Sequence, residues 1–181
     1  MAELERDGVT LELTTGNIVE QDEFDAVVNA ANAQLRMGGG VAGAIHSAAG
    51  PALEEETRPL APIRPGQAVI TSGHDLPNPY VIHCLGPVYG RDEPADELLA
   101  SCYREALTRA EEEGLGAVAL PALSTGAFGY PMEEAARVAL KTVLEEMPAL
   151  ESVRRIRFVL YDQQALETHR RVLEEMRVQE K

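Results

Sequence analysis

The chain predicts a three-layer α/β/α sandwich around a central mixed, largely parallel sheet. Three observations carry that class. Short apolar runs recur along the chain, as strands buried on both faces require. Stretches with helical spacing separate them, so strand and helix alternate. Glycine-rich loops stand at two of the strand-to-helix junctions.

Residues 9–14 alternate apolar and polar side chains, which predicts a strand with one wet face. Residues 26–30 are short and apolar, as a buried parallel strand should be. Residues 41–49 read as a small-residue helix, and Pro51 restarts a second one through Thr57. Residues 58–66 hold three prolines and read as loop. Residues 67–72 and 80–85 are expected strands, joined by the turn-rich segment 73–79. Helical spacing returns with Leu98, Leu99, Cys102, Ala106, Leu107 and Ala110, and ends near Gly114. Residues 117–120 make a core strand. Pro131 suits the first turn of the next helix, with Glu133 and Glu134 behind it and an apolar stripe from Ala136 to Met147. In the last strand Ile156, Phe158 and Leu160 alternate with Arg157 and Val159, and a final helix runs from about Gln163 to Met176. No repeat, low-complexity tract or linker interrupts this order, so residues 1–181 are expected to form a single domain.

Net charge is −14, from 30 acidic and 16 basic side chains, and only Arg154, Arg155 and Arg157 cluster. Such a chain repels polyanions, which argues against nucleic acid as a partner. A bound phosphate would have to be held mainly by backbone N–H groups. Cys84 and Cys102 sit in apolar patterns and read as buried thiols rather than a disulfide framework. No apolar run reaches membrane-spanning length and the N-terminus carries no leader pattern, so a cytoplasmic location is expected. The four histidines and two cysteines show no metal-ligand spacing; neither a metal nor a cofactor is expected.

The first glycine loop, Gly38-Gly39-Gly40, lies between the strand at 26–30 and the helix that begins at Val41. The second, Ser124-Thr125-Gly126-Ala127-Phe128-Gly129, lies between the strand at 117–120 and the helix after Pro131. Both follow parallel strands, so both should project from the carboxyl edge of the sheet, where such sheets bind ligands. Two loops offering backbone donors to one cleft suit a diphosphate. The alternative is that these glycines only make tight turns. Asn32 lies beyond its strand end, facing the same cleft, and its uncharged amide suits ribose hydroxyls; a turn-forming role is the other reading. Asn29, inside the strand, is expected to tie down neighbouring backbone.

Two other motifs compete. Gly38, Gly40 and Gly43 match G-x-G-x-x-G, but residues 31–37 separate the match from its strand and the expected acidic position falls near a proline-rich loop. Ser124, Asp162 and His169 follow the order of an α/β-hydrolase triad, which leaves a serine hydrolase using Ser124 as a remote alternative. Asp162 and His169 are only seven residues apart, and His169 falls on the helical stripe Leu166, Leu173, Met176, where a half-buried structural histidine is expected.

With these pieces in place the chain resembles the macro domain, an ADP-ribose-binding module. The resemblance rests on Thr15–Val19 (TGNIV), Val28–Asn32 (VNAAN), Gly38–Val41 (GGGV), Ala44–Gly50 (AIHSAAG), Val81–His83 (VIH) and Pro121–Gly129 (PALSTGAFG), and spans nearly the whole chain. It implies that Asn17 and Ile18 contact adenine and that Tyr161 packs against it. It implies that Asn32, Gly38, Gly39, Gly40 and Val41 hold the distal ribose and diphosphate. Ser124, Thr125, Gly126, Ala127 and Phe128 would form the second diphosphate loop. The implied partner is ADP-ribose, free or on an ADP-ribosylated protein, bound by a monomer. The implied activity is hydrolysis of ADP-ribosyl esters, on mono-ADP-ribosylated protein or O-acetyl-ADP-ribose, with Asn32 as the catalytic candidate; a non-catalytic reader is the alternative. Two positions depart from the family pattern. Asn17 stands where many members carry an aspartate, and Ala42 stands where one hydrolytic subfamily carries another.

Overall fold

The computed structural model describes residues 1–179 and contains a seven-stranded sheet in the order β1-β2-β7-β6-β3-β5-β4. The strands are β1 (Ala2–Arg6), β2 (Val9–Thr15), β3 (Ala26–Ala30), β4 (Ala68–Ser72), β5 (Tyr80–Cys84), β6 (Ala117–Leu120) and β7 (Arg155–Leu160). The five from β2 to β5 in that order run parallel, while β1 and β4 close the two edges antiparallel. The helices are α1 (Gly40–Ala49), α2 (Ala52–Thr57), α3 (Ala95–Glu112), α4 (Met132–Glu146) and α5 (Gln163–Gln179).

Strand alternation decides which residues meet which layer. Val27, Val81, Ala119 and Val159 point to one face and pack with Ile45 of α1 and Leu53 of α2. Val28, Ile82, Val118 and Phe158 point to the other and pack on α3, α4 and α5. The sandwich is therefore three layers deep, as the alternation of elements predicts. Cys84 and Cys102 are fully buried free thiols, and burial pushes Cys102 up to about 12. No helix among the described residues is long and apolar enough to cross a membrane.

The structure differs from the sequence reading at several elements. The edge strand β1 has no sequence counterpart, because only Leu4 of its five residues is buried and its pattern is faint. The turn that follows carried the better signal. Asp7 and Gly8 adopt φ of 55° and 79°, the left-handed pair of a two-residue hairpin. On the predicted wet face of β2, Thr10 and Thr14 are half-buried, but Glu12 between them is covered by side chains of the neighbouring β7. Its Glu12 is 2% exposed and accepts hydrogen bonds from Arg155 and Arg157 of β7. Burial alone would raise the Glu12 carboxyl, but those two guanidiniums outweigh it and hold the group below its ordinary range.

Smaller differences concern ends. Pro131 is the N-cap of α4 and not a residue of its first turn. The chain begins α1 one residue early, at Gly40, and carries α5 on to Gln179. Leu98 is half-buried, while Tyr103 takes a core place on α3 that the spacing had not assigned.

Candidate ligand-binding site

After β3 the chain leaves toward β5 and β4, whereas after β6 it leaves toward β7. These two neighbouring parallel strands therefore form the topological switch point, and their connections must diverge there. The loop after β3 leads into α1 on one face, and the loop after β6 leads into α4 on the other. Both glycine loops stand at that divergence, at the carboxyl edge of the sheet, where such sheets form their ligand crevice.

The two helices present different electrostatics to that crevice. The first turn of α4 carries Glu133 and Glu134. The first turn of α1 carries no acid and no side-chain cap, so its positive end is bare. Intrahelical bonding leaves the N–H groups of Gly40, Val41 and Ala42 without partners. Across the crevice, the N–H groups of Gly126, Ala127 and Phe128 donate to no acceptor among the described residues. Gly39, Gly40, Gly126 and Ala127 are exposed. Few arrangements suit a phosphate better in a protein whose net charge is −14.

Close packing shapes the first loop. An ideal Cβ at Gly43 would stand 2.5 Å from the Gly38 carbonyl oxygen, so only glycine lets α1 seat this near the loop. Asn32 closes the same turn from the other side. Its Nδ2 donates to the Arg36 carbonyl at 2.8 Å, and its Oδ1 accepts the Arg36 N–H at 3.0 Å. The amide thus makes the turn, and it keeps one N–H and one lone pair beyond those bonds. Phe128 packs with Ala31, Leu35 and Leu85, joining the second loop to the first. The Phe128 carbonyl also accepts the Tyr89 N–H at 2.8 Å, which brings in the loop after β5.

At the other end, Asn17 follows β2 and accepts the Val19 N–H on Oδ1 at 3.1 Å, capping a short 3₁₀ turn. Ile18 is buried beneath it and Tyr161, just past β7, is 95% exposed. Asn17 and Tyr161 lie at the ends of adjacent strands, and three strand intervals separate β2 from β3. At about 4.8 Å each, the edge from Asn17 to Asn32 spans roughly 14 Å.

The triad alternative is not assembled. Asp162 accepts the Ala165 N–H and caps α5, while His169 Nδ1 bonds the Ala165 carbonyl at 2.8 Å and its ring packs on Phe158. Ser124 Oγ is buried with no hydrogen-bond partner among the described residues. None of the three bonds another.

Two supports were not legible in the sequence. Gln21 donates to the Asn17 carbonyl at 2.8 Å and accepts from Arg157 at 2.9 Å, linking the Asn17 turn to the buried Glu12 pair. Asn29 does not tie down backbone; its Nδ2 donates to His83 Nδ1 at 3.0 Å. That donor fixes the Nε2–H tautomer, which donates to Thr71 Oγ1 at 2.9 Å. Partners on adjacent strands cannot be inferred until the register is known.

Burial, with His46 nearby adding to it, pushes His83 down to about 3. The sign of the linkage follows. Below an ordinary pKa of about 6.5 the unfolded chain takes up a proton that the folded protein refuses, so stability rises with pH between those values and is lost as pH falls. Urea unfolding between pH 4 and 5.5 should show about 1.4 kcal/mol per pH unit from this residue, and His83→Gln should remove that component. An unchanged slope in the variant would refute a buried neutral imidazole.

The fold defines a class, the three-layer α/β domains whose glycine loops meet at a topological switch point. The Macro domain family profile matches residues 28–139. A macro domain-containing protein of Caldanaerobacter subterraneus subsp. tengcongensis is 44% identical over 171 residues, covering 92% of this chain and 97% of that protein. One from Streptomyces coelicolor is 47% identical over 88% of this chain and 95% of its own length. The Oceanobacillus iheyensis macrodomain solved with ADP superposes at a TM-score of 0.93 with 34% identity, over 98% of this chain and 97% of that one. The Trypanosoma brucei macrodomain in complex with ADP-ribose gives a TM-score of 0.84 with 33% identity, over 90% and 68%. The chain belongs to the macro domain family.

Proposed function

We propose that this protein binds ADP-ribose along the carboxyl edge of its sheet and hydrolyses esters attached to the distal ribose. One observation carries the binding reading: unpartnered N–H groups on two facing loops meet the bare N-terminus of α1 at the switch point. Adenine lies at the Asn17, Ile18 and Tyr161 end, the diphosphate between the loops, and the distal ribose beside Asn32 and Phe128. The macrodomains solved with ADP and ADP-ribose support ADP-ribose as the ligand, because their folds superpose over most of this chain. Calorimetric titration with ADP-ribose, ADP and AMP is the test. Binding that strengthens from AMP through ADP to ADP-ribose is expected, and equal affinities would sink the distal-ribose assignment.

Hydrolysis breaks the ester bond between the carboxylic acid and the ribose hydroxyl, adding water and releasing the acid and ADP-ribose. Residues 31–43 and 121–131 contain no Asp or Glu, and Ala42 is buried, so neither loop supplies a general base. Water is positioned by loop backbone and activated in part by the substrate's own diphosphate, while Asn32 orients the ribose. Lacking a protein base, the rate falls short of one that has it by about 10²–10⁴-fold. Asn32→Ala should lower turnover on mono-ADP-ribosylated protein by more than it lowers ADP-ribose affinity. Wild-type turnover in that variant would overturn the mechanism. The same absence of acids favours the second reading, a reader that binds without turnover, and a null result for O-acetyl-ADP-ribose and modified protein alike would select it.

A further inference from the structure

Charge is distributed unevenly in a way the binding reading does not use. From Arg91 onward every arginine pairs with a carboxylate or, for Arg154, with backbone carbonyls. Arg36, Arg58 and Arg64 are exposed and make no ion pair among the described residues. All three belong to one neighbourhood. Arg36 and Arg58 line a depression of about 340 Å³ together with Gln34, Glu54 and Ala61. The Ile63 N–H donates to the Ala33 carbonyl at 2.9 Å, so the backbone next to Arg64 runs beside the same loop. Glu54, the acid in this depression, accepts the Met37 N–H at 3.2 Å. Met37 and Leu60 add exposed apolar surface, at 53% and 41%.

The place of the patch matters more than its size. Asn32 holds both backbone groups of Arg36, so the depression begins where the distal ribose would end. Whatever the ribose is attached to must leave the crevice there. We propose that this patch docks the polypeptide that carries the ADP-ribose, and that the polypeptide is acidic around the modified side chain. The inference rests on the ADP-ribose reading above. The overall charge of −14 disfavours an acidic segment in general, so three unpaired arginines at the exit select both the partner and its orientation. Guanidiniums suit this role, since their planar forks take carboxylates bidentately, and Met37 and Leu60 can cover the peptide's aliphatic stems.

The test uses two peptides carrying ADP-ribose through a non-hydrolysable triazole link, one flanked by glutamates and one by glutamines. Wild-type protein should bind the acidic peptide about tenfold more tightly at low salt, with the preference shrinking as salt rises. Arg58→Glu combined with Arg64→Glu should abolish or reverse the preference and leave free ADP-ribose affinity unchanged. The milder pair Arg58→Gln and Arg64→Gln should reduce it, which guards against misfolding of the charge-reversed protein. If ADP-ribose binds but flanking charge makes no difference, the docking proposal alone is overturned. Failure of free ADP-ribose to bind overturns the reading beneath it as well. A single-stranded RNA that competes for the patch while the acidic peptide does not would assign it to nucleic acid and overturn the proposal.

Discussion

Gly126→Glu is expected to weaken ADP-ribose binding by at least about 100-fold while leaving the fold intact. Gly126 is exposed, its φ lies outside the left-handed region, and an ideal Cβ there meets nothing within 4 Å. A side chain therefore costs the folded protein little. It costs the proposed ligand a great deal. The new carboxylate would reach the N–H groups of Gly126, Ala127 and Phe128 and the bare end of α1 before any phosphate does, satisfying them internally. The ligand then loses charge-assisted hydrogen bonds worth about 1.5–3 kcal/mol each and meets a like charge in their place. Two such losses exceed the roughly 2.8 kcal/mol that 100-fold represents. Gly126→Ala, which adds a methyl group and no charge, should stay within about threefold of the wild type. Calorimetry on both variants, with melting temperatures measured alongside, checks the claim. Wild-type affinity in the glutamate variant would remove the diphosphate from this loop.

The largest expected loss of stability comes from Arg157→Ala. Glu12 is almost completely buried, and Arg157 donates to it from Nη2 at 2.8 Å and from Nε at 3.1 Å. The guanidiniums of Arg155 and Arg157 each lie 4.7 Å from the centre of the Phe24 ring. Removing Arg157 leaves a buried carboxylate with half its partners and takes one cation from the ring. Breaking a buried pair in this way costs about 3 kcal/mol, or roughly 10 °C in a chain of this length. Adding Glu12→Leu should recover part of that loss, because it removes the uncompensated charge. A double variant no more stable than Arg157→Ala alone would show that the carboxylate is not the source. The Arg157 side chain also holds Gln21, and through it the Asn17 carbonyl. If the proposed adenine end lies there, affinity for AMP and for ADP-ribose should fall in parallel, since both carry adenine.

Much of this protein was legible in one dimension. The strand bounds 26–30 and 117–120 coincide with β3 and β6, because a strand buried on both faces announces itself as an uninterrupted apolar run. The glycine loops after both strands do lie at one edge of the sheet, since a parallel sheet gathers its connections there. The spaced set from TGNIV to PALSTGAFG pointed to the family that the profile and relatives then established. Other features depended on which strand lies beside which. Glu12 looked solvent-facing until β7 brought Arg155 and Arg157 to it, and Asn29 looked like a backbone tie until β5 set His83 opposite. Asn32 showed its bonds to Arg36 only once its loop had closed, and the unpaired arginines at 36, 58 and 64 became a patch only when Ile63 met Ala33. Periodicity and local motifs report the burial and turns of a residue's own segment. Partners far away in the chain are set by sheet order and register, and those exist only in the folded protein.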